Sequence, residues 1–155
     1  RAEKGVRMHT DQFHPEGPDN LLITSVDAAL AGQNTLLAAE SLGYGGVIIG
    51  LVRYEAAEVA KLFNLPDYTY PVFGMALGVP NQNHPVKPRL PLEAVVFEES
   101  YQEQTPEVIE AFDRVQTAYA GARATDTWSQ RLAAQFGQVE PAATAELLKK
   151  HQIEK

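Results

Sequence analysis

The stretch from Gly43 to Arg53, Gly-Tyr-Gly-Gly-Val-Ile-Ile-Gly-Leu-Val-Arg, restricts the fold of this chain more than any other segment. Its centre, residues 47–49, is a β-branched and apolar run bounded by glycines, which favours a strand buried on both faces. The strand is predicted to end at Gly50, where the missing Cβ would let a flat ligand approach the backbone. A helix terminus at Gly43 and a turn at Gly50 would explain the same glycines without any ligand. From the glycines alone, this second interpretation is favoured.

Composition excludes several classes of protein. The chain has 155 residues, 45% of them hydrophobic, which is enough for one domain with a real core. A net charge of −7 argues against binding to nucleic acid or to anionic membranes, because both need surplus Lys and Arg. Cysteine is absent, so disulfides and thiolate nucleophiles are excluded. No uninterrupted apolar run reaches about 18 residues and no signal peptide opens the chain, which predicts a cytoplasmic protein.

The first half is predicted to alternate helices and strands. Residues 1–20 mix charges with Gly and Pro and are predicted to be a loop or arm. A long helix should follow to Leu42, with Asp19 or Asn20 as N-cap. It is almost uncharged, so we expect it to be buried in the domain or against a second subunit. A short helix at 54–63 and a strand at 70–77 would complete a βαβ crossover.

The last third is predicted to be helical. A helix should begin at Pro106 with Thr105 as N-cap, and its inward stripe would consist of Val108, Phe112, Val115 and Tyr119. The sequence from Thr127 to Gln130 is typical of a capping box that opens a second helix. A final short helix is predicted at 141–150.

A proline-rich loop separates these two regions. Four prolines between Pro80 and Pro91 favour an extended, stiff backbone, on which Lys87 and Arg89 would point to the same side. Two cations on such a loop could hold a phosphate, since Arg offers a planar fork and Lys a point charge. A solvated pair of surface charges is the alternative, and the spacing alone favours it.

Several of these motifs together resemble the oxygen-insensitive NADPH nitroreductases and flavin reductases. They are Gly-Tyr-Gly-Gly-Val-Ile-Ile-Gly at 43–50, Lys-Pro-Arg-Leu-Pro at 87–91 and Asp-Thr-Trp-Ser at 126–129, in this order and at these separations. Ala-Ala-Glu-Ser-Leu-Gly at 38–43 and Ser-Tyr-Gln at 100–102 are similar to the same family. The resemblance covers residues from about Val26 to about Ser129, and the agreement of separated motifs makes it more specific than any one of them.

This resemblance implies an α+β flavoprotein with a nitroreductase-like fold. In such a homodimer FMN lies at the subunit interface and carries hydride from NADPH or NADH to flat acceptors by a ping-pong route. Lys87 and Arg89 would hold the FMN phosphate. The flavin ring would lie against Ile48, Ile49, Gly50 and Leu51, and Arg123 would contact the 2′-phosphate of NADPH. No protein side chain is needed as acid or base, because N5 of FMN carries the hydride.

The beginning of the chain departs from this family. The family carries an Arg- and Ser-rich FMN-binding motif and ring-contacting Ser and Gln residues there, and none of them is present. The expectation is a nitroreductase-like domain without its N-terminal third, in which residues 21–155 are the C-terminal part of a single domain with incomplete flavin sites. Two other functions stay open: a non-catalytic flavin- or nucleotide-phosphate-binding module, and a dimerisation module.

Overall fold

A computed structural model describes residues 2–137 and 142–150, which form six α-helices and two β-strands. The helices are α1 Ala2–Arg7, α2 Pro18–Ser41, α3 Ala56–Leu62, α4 Pro106–Ala120, α5 Trp128–Phe136 and α6 Ala142–Lys150. The strands are β1 Gly45–Ile49 and β2 Gly74–Gly78, and 3-10 turns occupy Gly50–Glu55, Leu92–Ala94 and Gly121–Arg123. The chain divides into two compact units, residues 1–82 with 141–155 and residues 83–140. The single domain expected over 21–155 stays a prediction.

The two strands of the first unit run antiparallel, with Gly45 opposite Gly78 and Ile49 opposite Gly74. The predicted βαβ crossover is therefore wrong. A crossover must carry the chain back along the full strand, and five residues of strand span roughly 17 Å. The connection over residues 50–73 does not do this, since Gly74 pairs with Ile49 and the chain re-enters the sheet at the end where it left. The β1 strand itself is confirmed, and it ends before Gly50 as predicted.

Helix α2 lies across this pair of strands and is held by two close contacts. A Cβ placed on Gly32 would lie 2.4 Å from Cζ of Phe73, so the ring occupies the space that any other residue would fill. The Tyr70 hydroxyl donates to the Leu21 carbonyl at 3.1 Å and also bonds with the Ser25 hydroxyl. These contacts fix the segment before β2 against the helix.

Within the described residues of this chain, α2 and β1 are mostly exposed, so the expected burial of β1 on both faces is wrong, while burial of α2 against a second subunit stays a prediction. Gly32 and Ala39 are the buried residues of α2, while large apolar side chains such as Leu22, Leu30 and Leu37 are more than half exposed. Val47 of β1 is also 56% exposed. Burial was predicted from apolar composition. Composition indicates that a surface should be buried, but it does not identify the element or subunit that packs against it.

The prediction that no apolar run is long enough to span a membrane bears on α2. Helix α2 is long and apolar enough to cross a membrane by length and composition, although polar residues interrupt its apolar run. The core helix of a globular protein passes the same test, so this is weak support for a membrane span.

The boundaries of α2 follow local chemistry only in part. Its N-cap is Gly17 rather than Asp19 or Asn20, and no side chain caps it. Beyond the C-cap, Gly43 has φ +83°, a left-handed conformation that glycine adopts without steric penalty. The predicted C-terminal glycine is thus confirmed.

A small apolar cluster joins the short helices α3 and α6 of the first unit. Ala56 and Ala60 of α3 are buried together with Leu147 of α6, and Leu65 and Tyr70 pack against them. Both α3 and α6 were predicted, although the first residue of the predicted last helix, Pro141, lies outside the described residues.

The predicted arm at 1–20 is wrong at its start, where α1 forms with an Arg7–Glu3 ion pair of 2.8 Å.

The second unit is built around α4 and α5. The predicted capping box opens α5, because the Thr127 hydroxyl accepts from the Gln130 N–H while the Gln130 side chain accepts from the Thr127 N–H. The rings of Phe112 and Trp128 meet edge to face with centroids 5.1 Å apart. The predicted inward stripe of α4 is wrong at Val115, which is 49% exposed, while its neighbour Gln116 is buried.

Candidate functional site

The turn after β1 places a glycine beneath an arginine. Gly50 is half-buried and begins a 3-10 turn. A Cβ at Gly50 would lie 3.2 Å from Nη1 and 3.4 Å from Nη2 of Arg53. Nη1 of Arg53 also donates to the Val72 carbonyl at 2.9 Å. The guanidinium therefore lies over Gly50 and ties this turn to the segment that leads into β2.

The residues around this turn present an apolar surface. Ile48 is 45% exposed and Leu51 is 72% exposed, while Ile49 is half-buried. A cation, a residue without a side chain and exposed aliphatic groups thus lie next to one another. Such a surface suits a flat aromatic group that carries partial negative charge on its edge.

The proline-rich loop was predicted correctly. Residues 79–91 have no helix or strand, and Lys87 and Arg89 are both exposed. Nη1 of Arg89 donates to the carbonyls of Lys87 at 3.1 Å and Pro88 at 3.4 Å. The side chain is therefore folded back onto its own loop. Among the described residues, its Nε and Nη2 groups remain available as donors to an anion.

Helix α4 holds this loop through two side chains. Nε2 of Gln116 donates to the Pro88 carbonyl at 2.9 Å, and the Tyr119 hydroxyl donates to the Pro85 carbonyl at 3.1 Å. A segment rich in proline lacks backbone N–H groups for a regular ladder, so side-chain donors must hold its carbonyls instead. The loop is fixed at the two prolines on either side of Lys87.

Arg123 lies at the other end of α4, where it ends the 3-10 turn Gly121–Arg123 and is exposed. This turn connects α4 to α5, and Asp113 joins the two helices. Its carboxylate accepts from the backbone N–H of Ser129 at 2.8 Å and from the Ser129 hydroxyl. These bonds, led by that of the hydroxyl, lower the pKa of Asp113 below its ordinary value.

The predicted residues fall into two groups. Ile48, Ile49, Gly50 and Leu51 belong to the first unit, whereas Lys87, Arg89 and Arg123 belong to the second. Sequence reasoning missed Arg53 and Gln116. Arg53 could have been found from its spacing to Gly50, because residues three apart in a 3-10 turn lie on the same side. Gln116 could not be found from periodicity, since a buried glutamine looks like a break in the apolar stripe.

Comparison with known proteins now identifies the family. A profile described as "Nitroreductase family" matches residues 6–79, and another described as "Nitroreductase family, C-terminal domain" matches residues 87–155. The chain belongs to the nitroreductase family, as its motifs indicated.

Individual relatives agree with this assignment. An NADPH-flavin oxidoreductase of Vibrio harveyi is 47% identical over 115 residues, which cover 72% of this chain and 48% of the relative. The crystal structure of nitroreductase A from Vibrio parahaemolyticus superposes with a TM-score of 0.86 at 38% identity, covering 96% of this chain and 63% of that one. The NADPH:FMN oxidoreductase from Vibrio harveyi, complexed with NAD+, gives a TM-score of 0.85 at 36% identity, with 98% and 63% coverage.

These matches confirm the α+β, nitroreductase-like fold. The chain spans about half the length of the curated relatives it matches.

Proposed function

We propose that this chain is part of an FMN-dependent NAD(P)H oxidoreductase that reduces nitroaromatics, quinones or free flavin by ping-pong hydride transfer. The observation that carries the proposal is the pair of exposed cations on the fixed loop at 85–91. Family membership supports it, since the compared relatives are named as oxidoreductases that act with NADPH and flavin.

Lys87 and Arg89 fit a phosphate group. Both are exposed, they are separated by a single proline, and their loop is held by Gln116 and Tyr119. A phosphate dianion is well matched by one cation with a planar fork of donors and one with a point charge. In this proposal the two side chains bind the phosphate of FMN and set the position of the whole cofactor.

The turn after β1 fits the flavin ring. Ile48, Ile49, Gly50 and Leu51 would line the isoalloxazine, and the small glycine would let the backbone approach it. Bound FMN supplies the hydride chemistry, so the protein needs to bind and orient the ring and to exclude water. Arg123 would select NADPH through its 2′-phosphate, because that group is what distinguishes NADPH from NADH.

The exposed apolar face of α2 supports a homodimer with FMN at the interface. Leu22, Leu30 and Leu37 lie on a helix that has few buried residues of its own. Contiguous apolar surface of this kind is typical of an interface between subunits. We place the complete protein in the cytoplasm, with small aromatic molecules as its electron acceptors.

Binding of FMN and of riboflavin tests the phosphate assignment, because riboflavin is the same ring system without the phosphate. Lys87→Ala and Arg89→Ala should each weaken FMN binding by about 1 to 3 kcal/mol, the range for a lost charge-assisted contact. Riboflavin affinity should be unchanged. Lys61→Ala, which removes an exposed lysine of α3, is the matched control and should affect neither ligand. Equal losses for both ligands, or no loss of FMN, would remove the clamp assignment.

A further inference from the structure

A buried polar side chain lies beneath the two exposed cations of the second unit. Gln116 is only 5% exposed, although α4 could place an apolar residue there. Burying an amide without a partner costs roughly 1 to 3 kcal/mol in proteins, so its hydrogen bond must compensate for its presence. Its Nε2 donates to the Pro88 carbonyl at 2.9 Å.

The position of this bond is specific. Pro88 is the residue between Lys87 and Arg89, and its carbonyl also accepts from Nη1 of Arg89 at 3.4 Å. The two lone pairs of this oxygen are thus shared between a buried amide and the guanidinium itself. Removing Gln116 would release the peptide between both cations and alter one of the acceptors that holds Arg89.

The backbone of Pro88 cannot donate the hydrogen bond by which most loop residues are held in place. It has no N–H, so the loop cannot be held there by donation from its own backbone. The second anchor, from Tyr119 to the Pro85 carbonyl, lies two residues before Lys87 and does not act on the Lys87–Arg89 peptide unit directly. Gln116 therefore ties the residue between the two cations to α4.

We infer that Gln116 is a positioning residue that holds Lys87 and Arg89 in the geometry that grips a flavin phosphate. The inference rests on the proposed function, because it assumes that these two cations bind FMN. Gln116 touches neither phosphate nor ring in this assignment, and it acts through the Pro88 carbonyl. A glutamine that merely fills space between α4 and the loop would affect folding but would not distinguish ligands with and without phosphate.

The test uses Gln116→Met in the complete protein, since methionine keeps the length and packing of the side chain and removes the donor. FMN affinity should fall about 3- to 10-fold, as expected for one hydrogen bond, while riboflavin affinity stays within about twofold. Thr117→Val, at the neighbouring exposed position on α4, is the control and should change neither affinity. Equal loss of FMN and riboflavin, or unchanged FMN binding, would overturn the positioning role.

Comparison with the Lys87→Ala and Arg89→Ala variants separates failure of the inference about Gln116 from failure of the phosphate assignment. If Lys87→Ala and Arg89→Ala discriminate FMN from riboflavin but Gln116→Met does not, then only the inference about Gln116 fails. If neither alanine variant discriminates, the phosphate assignment and the inference fail together. Combining Gln116→Met with Arg89→Ala should give less than the sum of the two losses in FMN affinity, because both act on one carbonyl. Additive losses would contradict the link.

A measurement on the unaltered protein covers the case in which Gln116→Met does not fold. The side-chain amide protons of Gln116 should exchange with solvent at least about tenfold more slowly than those of Gln33, which is exposed on α2. Exchange at the rate of Gln33 would show that the bond to Pro88 is not formed, and would overturn the inference.

Discussion

In the proposed function, Arg123 selects between NADPH and NADH. It is exposed and ends the turn between α4 and α5, so it can reach a phosphate without first losing an internal partner recorded among the described residues. Sequence resemblance suggested its role, and the structure adds its location.

Replacing Arg123 by alanine should raise KM for NADPH by roughly 10-fold or more, the effect of losing one charge-assisted contact. KM for NADH should change little, since NADH has no 2′-phosphate. Arg131→Ala, on the exposed side of α5, is a matched control and should leave both constants unchanged. Steady-state kinetics with both nucleotides measure this, and equal effects of Arg123→Ala on the two would contradict the assignment.

Individual residues differed in how far the sequence could predict them. Lys87 and Arg89 were predicted as an exposed pair because proline fixes the local backbone, and local backbone is what sequence encodes most directly. Arg53 and Gln116 were missed, since each acts through a carbonyl that is distant in sequence, at Val72 and Pro88. Contacts of that kind depend on the completed fold.

The helices and strands show the same division between local and distant causes. The N-terminal signals placed the starts of α4 and α5 well, because their chemistry lies within a few residues. The direction of β2 relative to β1 was wrong, because it depends on where the connection through α3 returns the chain. Helix α1 was missed, and its six residues are too few for a periodic signal.

The junction of α4 and α5 should depend on pH through Asp113. Its folded-state pKa is lowered, so the stabilisation from Ser129 is present above the unfolded value of about 4 and is lost as pH falls through the folded value. Asp113→Asn should remove this contribution. As the pH falls below about 4, the free energy of unfolding of the variant should therefore decrease less than that of the unaltered protein.

Unfolding by urea at a series of pH values measures this difference. Glu110→Gln, on the same helix at an exposed position, is the control and should keep the pH dependence of the unaltered protein. The account would be contradicted if Asp113→Asn retained the same acid destabilisation.

The whole molecule has more apolar surface than its described units bury. No large side chain in the described residues is fully buried, and many Leu, Ile and Val side chains are exposed. Composition predicted a core for the chain, and the structure shows that the described residues form only small clusters. The sequence could identify the family from separated motifs, but it could not state which surface covers α2.

We propose that the protein reduces its flavin with a nicotinamide nucleotide and passes the electrons to a flat acceptor. An anaerobic titration of the complete, FMN-loaded protein with NADPH tests it most directly. The account predicts that the absorption band of oxidised flavin bleaches stoichiometrically and returns when a quinone is added. A band that persists with both NADPH and NADH would contradict the claim and leave a flavin-binding or dimerisation module as the explanation.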